Sequence, residues 1–182
     1  MAGEVHAQSS FYFSNMQPSA GIDAPVFDGN GIPLSGTNYV AMLYGGTTVD
    51  SLTPARSRSH PAFIEAPVPF TFMPLGKAGY FPPSIVGITT VDCGGLAWLQ
   101  VRAWDARLGA TFEDVMAQGI GGYGQSELFQ SRGGFDCTIP GPPGNLFGLK
   151  SFSLLPVVPE PSPALLFLLG LPWLVWRCRR FK

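Results

Sequence analysis

Residues 96–104, LAWLQVRAW, decide the fold. Their side chains alternate between an aliphatic face, comprising Leu99, Val101 and Ala103, and a face of larger side chains, comprising Trp98, Gln100, Arg102 and Trp104. Alternation with a period of two is typical of a β-strand, and the preceding Gly94-Gly95 pair is a turn signal. The stretch therefore predicts a strand with both faces covered, as in the middle of a sheet.

Further short apolar runs, separated by glycine and proline, lie on either side of this strand. Residues 11–13 and 24–27 are such runs, and Asp28-Gly29-Asn30-Gly31 follows the second as a turn cluster. Residues 38–44, 68–73, 84–91 and 147–155 predict additional strands. Short strands at this spacing predict a mostly β domain, either an antiparallel β-sandwich or an open barrel.

One short helix is expected among the strands. Residues 111–118, TFEDVMAQ, begin with Thr111 as N-cap and Asp114 at the capping-box position, and Gly119 ends them. The stretch RSRSHP, residues 56–61, predicts a polar loop between strands, and GIGGYG, residues 119–124, a flexible loop.

Composition favours an exported domain. Of the 182 residues only 13% are charged, whereas about a quarter is usual, and there are 23 glycines and 18 prolines. This length predicts one domain with its own core. The net charge is −1 and the cations outside the C-terminus are scattered, so no basic patch predicts binding to nucleic acid.

The C-terminus, residues 157–182, has three parts: VVPEPSP, a run without charge over residues 164–176, and a basic tip. At about 1.5 Å per residue the run spans roughly 20 Å as a helix, short of the roughly 30 Å hydrocarbon core. Trp173 and Trp176 suit the membrane interface. The cations expected to stay in the cytoplasm are Arg177, Arg179, Arg180 and Lys182. The sequence predicts a single transmembrane helix of marginal length.

The order of these parts resembles the PEP-CTERM sorting signal of exported proteins of Gram-negative bacteria. Its motif here is Pro159, Glu160 and Pro161, directly before the apolar run. The resemblance implies that exosortase, a membrane peptidase, is a partner and cleaves near the motif. It implies an inner-membrane precursor and a product in the periplasm, the outer membrane or at the cell surface. A permanent single-pass anchor is the alternative.

Two further stretches are similar to segments of some PEP-CTERM proteins. They are residues 24–46, APVFDGNGIPLSGTNYVAMLYGG, and residues 99–129, LQVRAWDARLGATFEDVMAQGIGGYGQSELF. This similarity implies a secreted or surface-displayed domain and brings no catalytic residues with it.

The N-terminus contains the end of an export signal without its beginning. Val5-His6-Ala7 before Gln8 has the small-x-small form of a cleavage site, but residues 1–10 contain no basic and apolar regions. We expect residues 1–7 to be a signal-peptide remnant whose start lies upstream, although so loose a motif also arises by chance. The predicted organisation is then an exported β-rich domain over residues 8–156 and a sorting signal over residues 157–182.

Cysteine usage agrees with export. Cys93 and Cys137 lie beside glycines or small polar residues, and Cys178 lies in the basic tip. In an oxidising compartment Cys93 and Cys137 can form a disulfide; two buried thiols are the alternative. A zinc site is not expected, because there is no C-x-x-C and His60 is the domain's only histidine.

The sequence points to no catalytic site, metal site or cofactor. His60 is expected to be a solvated loop residue, and the position of Glu113 and Asp114 in the first helical turn explains both carboxylates. Asp105 follows a strand, where it could cap or turn the chain. Asp28-Gly29-Asn30-Gly31 lacks the later carboxylates of a calcium loop.

Trp98, Arg102 and Trp104 form a candidate ligand face. They could stack against sugar rings, pack under a second sheet, or form a cation–π stack. The expected role is non-enzymatic, as a surface or extracellular-matrix component made alongside exopolysaccharide. A carbohydrate- or ligand-binding module is the alternative.

Overall fold

The computed structural model describes residues 8–60, 63–64, 67, 69–134 and 141–158. Over these residues the chain is mostly β, with several antiparallel sheets and one α-helix, α1 (Phe112–Gln118). The strands are β1 (Ser9–Phe13), β2 (Met16–Gln17), β3 (Ile22–Asp23), β4 (Val26–Phe27), β5 (Gly36–Gly46), β6 (Thr53–Pro54), β7 (Arg56–His60), β8 (Phe63–Ile64), β9 (Phe70–Phe72), β10 (Ser84–Ile88), β11 (Leu96–Asp105), β12 (Tyr123–Gln125), β13 (Phe129–Arg132) and β14 (Phe152–Ser153).

Two larger sheets organise these strands. The first has the order β1-β10-β7-β8. In the second, β5 and β11 pair at the centre, β12 and β13 pair with β11, and β6 and β9 pair with β5. Two small sheets, β2-β3 and β4-β14, lie beside them, and the β4-β14 pairing is parallel.

The centre of the second sheet is the pairing of β5 with β11, which runs in register from Trp98 opposite Gly46 to Asp105 opposite Tyr39. On one face, Leu43, Leu99 and Val101 are almost fully buried in the main core. The same core includes Phe11, Phe13, Val86 and Ile88 from the first sheet. A Cβ at Gly45 would overlap the end of the Ile88 side chain, which shows how closely the two sheets approach.

The opposite face of β5 and β11 carries a second apolar cluster, which α1 covers. It comprises Val40, Met42, Tyr44, Trp104, Phe112 and Val115. The predicted helix and both its ends are confirmed. The Thr111 hydroxyl accepts from the Asp114 amide, the Asp114 carboxylate accepts from the Thr111 amide, each at 3.1 Å, and Gly119 ends the helix with φ +70°.

The two central strands are also confirmed, and each is longer than predicted. The stretch 38–44 belongs to β5, and 96–104 belongs to β11 with Leu99, Val101 and Ala103 on the main-core face. The stretch 84–91 ends early, at Ile88, and the stretch 68–73 contains β9. The predicted turn at Asp28 is present: its Oδ1 accepts from the amides of Asn30 and Ile32, both at 2.8 Å, and Gly31 has φ +80°.

One local prediction is wrong, and two hold for only part of their stretch. Residues 56–60 are not a loop but strand β7, which pairs with β10 and β8. The stretch 119–124 is not a free loop, because Tyr123 and Gly124 enter β12 and pair with β11. In the stretch 147–155 only Phe152–Ser153 is a strand; Gly148, with φ +94°, interrupts the extended backbone. The first two stretches differ from the prediction because they pair with strands distant in sequence. The third differs because of the backbone angle at Gly148.

The part of the chain that the structure describes includes no helix long and apolar enough to cross a membrane. The transmembrane run predicted for residues 164–176 lies outside the described residues.

Candidate functional site

Arg102 is the centre of a polar and aromatic cluster on the helix-covered face of β11. Its guanidinium carbon lies 4.0 Å from the centre of the Tyr44 ring and 5.0 Å from that of Phe112. Its Nη1 donates to Glu113 Oε1 at 3.0 Å, and its Nε donates to Gln100 Oε1 at 3.0 Å. The strand register supplies Arg102 and Tyr44, while the first turn of α1 supplies Phe112 and Glu113.

Tyr44 completes this cluster as a hydrogen-bond donor. Its hydroxyl donates to Glu113 Oε2 at 3.2 Å. Burial, reinforced by the Glu113 carboxylate, raises the pKa of Tyr44 to about 12, although Arg102 opposes the shift. The phenol therefore stays protonated at neutral pH, and Glu113 accepts from two neighbours.

The three residues of the candidate ligand face share one side of β11 but differ in exposure. Trp104 is 1% exposed and packs edge-to-face on Phe112 with ring centres 6.4 Å apart. Trp98 and Arg102 are half-buried. Because α1 covers Trp104, this indole offers no surface for stacking a sugar ring; the cation–π contacts of Arg102 are with Tyr44 and Phe112.

A cavity of about 310 Å³ lies beside the Arg102 cluster. Its walls include Met42, Tyr44, Pro54, Trp104 and Glu113. The volume is at the lower end of the roughly 300–1,000 Å³ of small-molecule sites, and apolar walls with one carboxylate suit a small ligand that has an apolar face and a hydrogen-bond donor.

A second pocket, of about 200 Å³, lies beside Asp105, the last residue of β11, and is more polar. Here Asp105 is buried, and the Arg107 guanidinium donates to it through Nε at 2.8 Å and Nη2 at 2.5 Å. These bonds from Arg107 lower the pKa of Asp105. Asp105 also accepts from the Arg107 amide at 3.0 Å, as expected of a carboxylate that turns the chain.

The C-terminal segment also borders this second pocket, with residues 154–157 in its wall. The amide of Val158 donates to the carbonyl of Ile120 at 2.8 Å. The sorting-motif residues Pro159, Glu160 and Pro161, and the basic tip of Arg177, Arg179, Arg180 and Lys182, lie outside the described residues.

Cys93 is disulfide-bonded. Its expected partner, Cys137, lies outside the described residues. The described chain nevertheless approaches this region: the Gly94 amide donates to the Gly134 carbonyl at 3.1 Å, and the Gly133 amide to the Gly95 carbonyl at 2.9 Å.

Over the described residues no group of three or more histidine, cysteine, aspartate and glutamate side chains could hold a metal ion. His60 lies in strand β7 rather than in a loop. Sequence reasoning missed Tyr44 and Glu113 as neighbours of Arg102. The strand predicted over 38–44 contains Tyr44, but the sequence contained no signal for the register between β5 and β11.

Comparison with protein-family models, with curated proteins and with solved structures found no match for this chain.

Proposed function

We propose that this chain is an exported protein that is sorted, and cleaved by an exosortase-type membrane peptidase, through its C-terminal PEP-CTERM-like signal. The observation that carries the proposal is the order of the tail: Pro159-Glu160-Pro161, an uncharged run over residues 164–176, and four cations within the last six residues. The run enters the bilayer as a single helix, and the cations hold the C-terminus on the cytoplasmic side.

The described domain fits this arrangement at its C-terminal boundary. Backbone hydrogen bonding to the domain continues to Val158, the residue directly before the motif. The motif would thus begin at the surface of the folded domain. We propose that the two larger sheets form a β-sandwich, since the main core draws buried side chains from both.

We further propose that the domain is a non-enzymatic component of the cell surface or extracellular matrix, associated with exopolysaccharide. The resemblance of residues 24–46 and 99–129 to exported PEP-CTERM proteins supports this role. The disulfide at Cys93 is consistent with an oxidising compartment outside the cytoplasm.

Replacement of Pro159, Glu160 and Pro161 by alanine in the native host tests the sorting proposal. Without the prolines the helix can extend through the motif, and an uncleaved, membrane-bound precursor should accumulate. A matched control replaces Pro82 and Pro83, two exposed loop prolines, by alanine and should be processed normally. Mass spectrometry of the released wild-type protein should find no peptide from Ala164 onwards. Recovery of the mature protein with Trp176 and Lys182 attached would identify a plain tail anchor.

A ligand-binding module is the second candidate, and the cavity beside Arg102 favours it. The cavity combines apolar walls, which include Met42 and Pro54, with the Glu113 carboxylate. Calorimetric titration with neutral oligosaccharides, comparing wild type with Glu113→Gln, tests it. Binding that Glu113→Gln weakens at least about tenfold supports this function, because a charge-assisted hydrogen bond to the exposed carboxylate is lost. Absence of heat at millimolar sugar contradicts it.

A further inference from the structure

The last described segment, residues 152–158, lies along the domain as an added strand. β14 pairs with β4, and the Leu154 amide donates to the Phe27 carbonyl at 2.8 Å. The following bonds join the segment to residues 120–123: the Leu155 amide to the Tyr123 carbonyl at 2.8 Å, the Gly122 amide to the Leu155 carbonyl at 2.9 Å, and the Val158 amide to the Ile120 carbonyl at 2.8 Å. We propose that residues 152–158 form a C-terminal clamp, which must open before a protease can cleave at the Pro159–Pro161 junction.

Glycines line the slot that holds this clamp. A Cβ at Gly29 would overlap the Cα of Pro156, one at Gly121 the carbonyl oxygen of Pro156, and one at Gly124 the carbonyl oxygen of Ser153. Only glycine lets the backbones approach this closely. The slot therefore fits the backbone of the segment rather than its side chains.

Residues 155–158 of the clamp are held mainly by their backbone, whereas Phe152 and Leu154 pack on the main core. Leu154 is 4% exposed, whereas Leu155 is 51%, Val157 48% and Val158 64% exposed. Local opening costs least where few apolar side chains are buried. The clamp is thus an element that can open while the rest of the domain stays folded.

Opening bears directly on cleavage. A protease binds its substrate as an extended strand and uses the main-chain N–H and C=O groups on both sides of the cleaved bond. In the clamp, the Val158 amide is already bonded to Ile120. Cleavage near Pro159 then depends on the fraction of molecules with an open clamp, provided that opening and closing are fast relative to cleavage. The clamp proposal rests on the proposed function only for cleavage by an exosortase. For an added protease it stands independently of that function.

The test uses the full chain in detergent micelles and compares Gly29→Ala with Gly76→Ala. The first places a methyl group against Pro156, while the second places one in open space, and neither glycine has positive φ. Hydrogen exchange at Leu154, Leu155 and Val158 should accelerate about fivefold or more in Gly29→Ala, because overpacking shifts the population towards the open clamp by at least about that factor. The amides of Leu99 and Val101 should keep their wild-type exchange rates in both variants.

Cleavage by added proteinase K, followed by mass spectrometry of fragments that end between residues 152 and 163, should accelerate by the same factor. A second pair, Val158→Pro and Val158→Ala, keeps the test decisive if Gly29→Ala does not fold. Val158→Pro removes the donor to Ile120, whereas Val158→Ala retains it. Two results would overturn the clamp proposal. One is an equal cleavage rate for the two variants of each matched pair. The other is hydrogen exchange at Leu155 and Val158 of the wild type as fast as in an unstructured peptide.

Processing in the native host separates the clamp from the sorting proposal. Faster conversion of precursor to product in Gly29→Ala than in Gly76→Ala supports gating by the clamp, and equal conversion rates overturn it. If none of the chains, wild type included, is processed, the sorting proposal fails. The hydrogen-exchange and cleavage measurements in micelles then test the clamp independently of the sorting proposal.

Discussion

Arg102 lies across the ring of Tyr44, with its guanidinium carbon 4.0 Å from the ring centre, and its Nη1 donates to Glu113. Strand β11 provides the cation, β5 the ring and α1 the carboxylate. The three elements are thus joined at one guanidinium. A cation–π contact on a partly desolvated arginine contributes more than an exposed ion pair does.

We expect Arg102→Ala to lower the free energy of unfolding by about 1–2 kcal/mol, through loss of the cation–π contacts and of the packing of the side-chain stem. Lys150→Ala is the matched control: its ion pair with Glu127 is exposed on both sides and should contribute less than about 0.5 kcal/mol. Urea titration measures both. Equal destabilisation by the two substitutions would contradict a structural role of the Arg102 cluster.

Stability at alkaline pH should depend on Tyr44. Its pKa is raised from 10.0 to about 12, first by burial and then by Glu113, so the folded state holds the phenolic proton more tightly than the unfolded state. The resulting contribution of Tyr44 to the free energy of unfolding is fully present below pH 10 and is lost as the pH rises from 10 to 12. Its full size is roughly 2–3 kcal/mol, at about 1.4 kcal/mol per pKa unit.

Urea titrations of wild type and Tyr44→Phe between pH 8 and 12 measure this dependence. Tyr44→Phe removes the ionisable group, so its stability should fall less steeply above pH 10 than that of the wild type. Parallel curves for the two proteins would show that Tyr44 does not titrate as the structure implies.

Asn15 is a buried hydrogen-bonding centre that joins three segments. Its Nδ2 donates to the carbonyls of Ala24 at 2.9 Å and Gly79 at 2.8 Å, and its Oδ1 accepts from the Phe81 amide at 3.1 Å. Asn15→Ala would remove the partner of the Ala24 carbonyl and of the Phe81 amide, while the Gly79 carbonyl keeps its bond from the Val26 amide. We expect a loss of about 2–4 kcal/mol in the free energy of unfolding, since each unsatisfied buried group costs about 1–3 kcal/mol and the losses are not additive.

The control for Asn15 is Asn30→Ala, in the exposed turn after Asp28, which should change stability by less than about 0.5 kcal/mol. Thermal and urea unfolding measure both variants. A loss below about 1 kcal/mol in Asn15→Ala would mean that water satisfies the Ala24 carbonyl and the Phe81 amide as well as the Asn15 side chain does.

The sequence could predict those parts of the fold that depend on neighbouring residues. The alternation in 96–104 and the Thr111/Asp114 capping box are local patterns, and each led to the correct element. Asn15 had no such signal, because two of its three partners, Gly79 and Phe81, are more than 60 residues away in the chain. Strand β7 was missed for the same reason: its polar sequence resembles a loop, and only pairing with β10 makes it a strand.

The candidate site was predictable to a similar extent. The alternation placed Trp98, Arg102 and Trp104 on one face, but not the helix that covers Trp104. Helix α1 was itself predicted; its docking against β11 depends on the buried contacts of Phe112 and Val115, whose positions in the sequence do not indicate a partner. The sequence could not predict the clamp, because the clamp depends on backbone hydrogen bonds between residues 152–158 and residues far earlier in the chain.

The last prediction concerns Cys93, whose disulfide partner we propose to be Cys137. The hydrogen bonds between Gly94 and Gly134, and between Gly95 and Gly133, hold the two chain segments together. From Gly134 the chain needs three residues to reach Cys137, a span of at most about 10 Å, so the two cysteines are within reach of one another. A loop of this length closed by a disulfide stabilises the fold by roughly 3–4 kcal/mol.

Peptide mapping of the uncleaved precursor, which retains Cys178, should find the peptides of Cys93 and Cys137 joined in the absence of reductant. Reduction should lower the midpoint of urea unfolding, and Cys137→Ser should reproduce the effect and make Cys93 reactive towards iodoacetamide under native conditions or on unfolding. Cys178→Ser is the control and should leave the joined peptide and the unfolding midpoint unchanged, because Cys178 belongs to the basic tip. A joined peptide containing Cys178 instead of Cys137 would contradict the pairing, and with it the argument that the Gly94–Gly134 contact brings the two cysteines together.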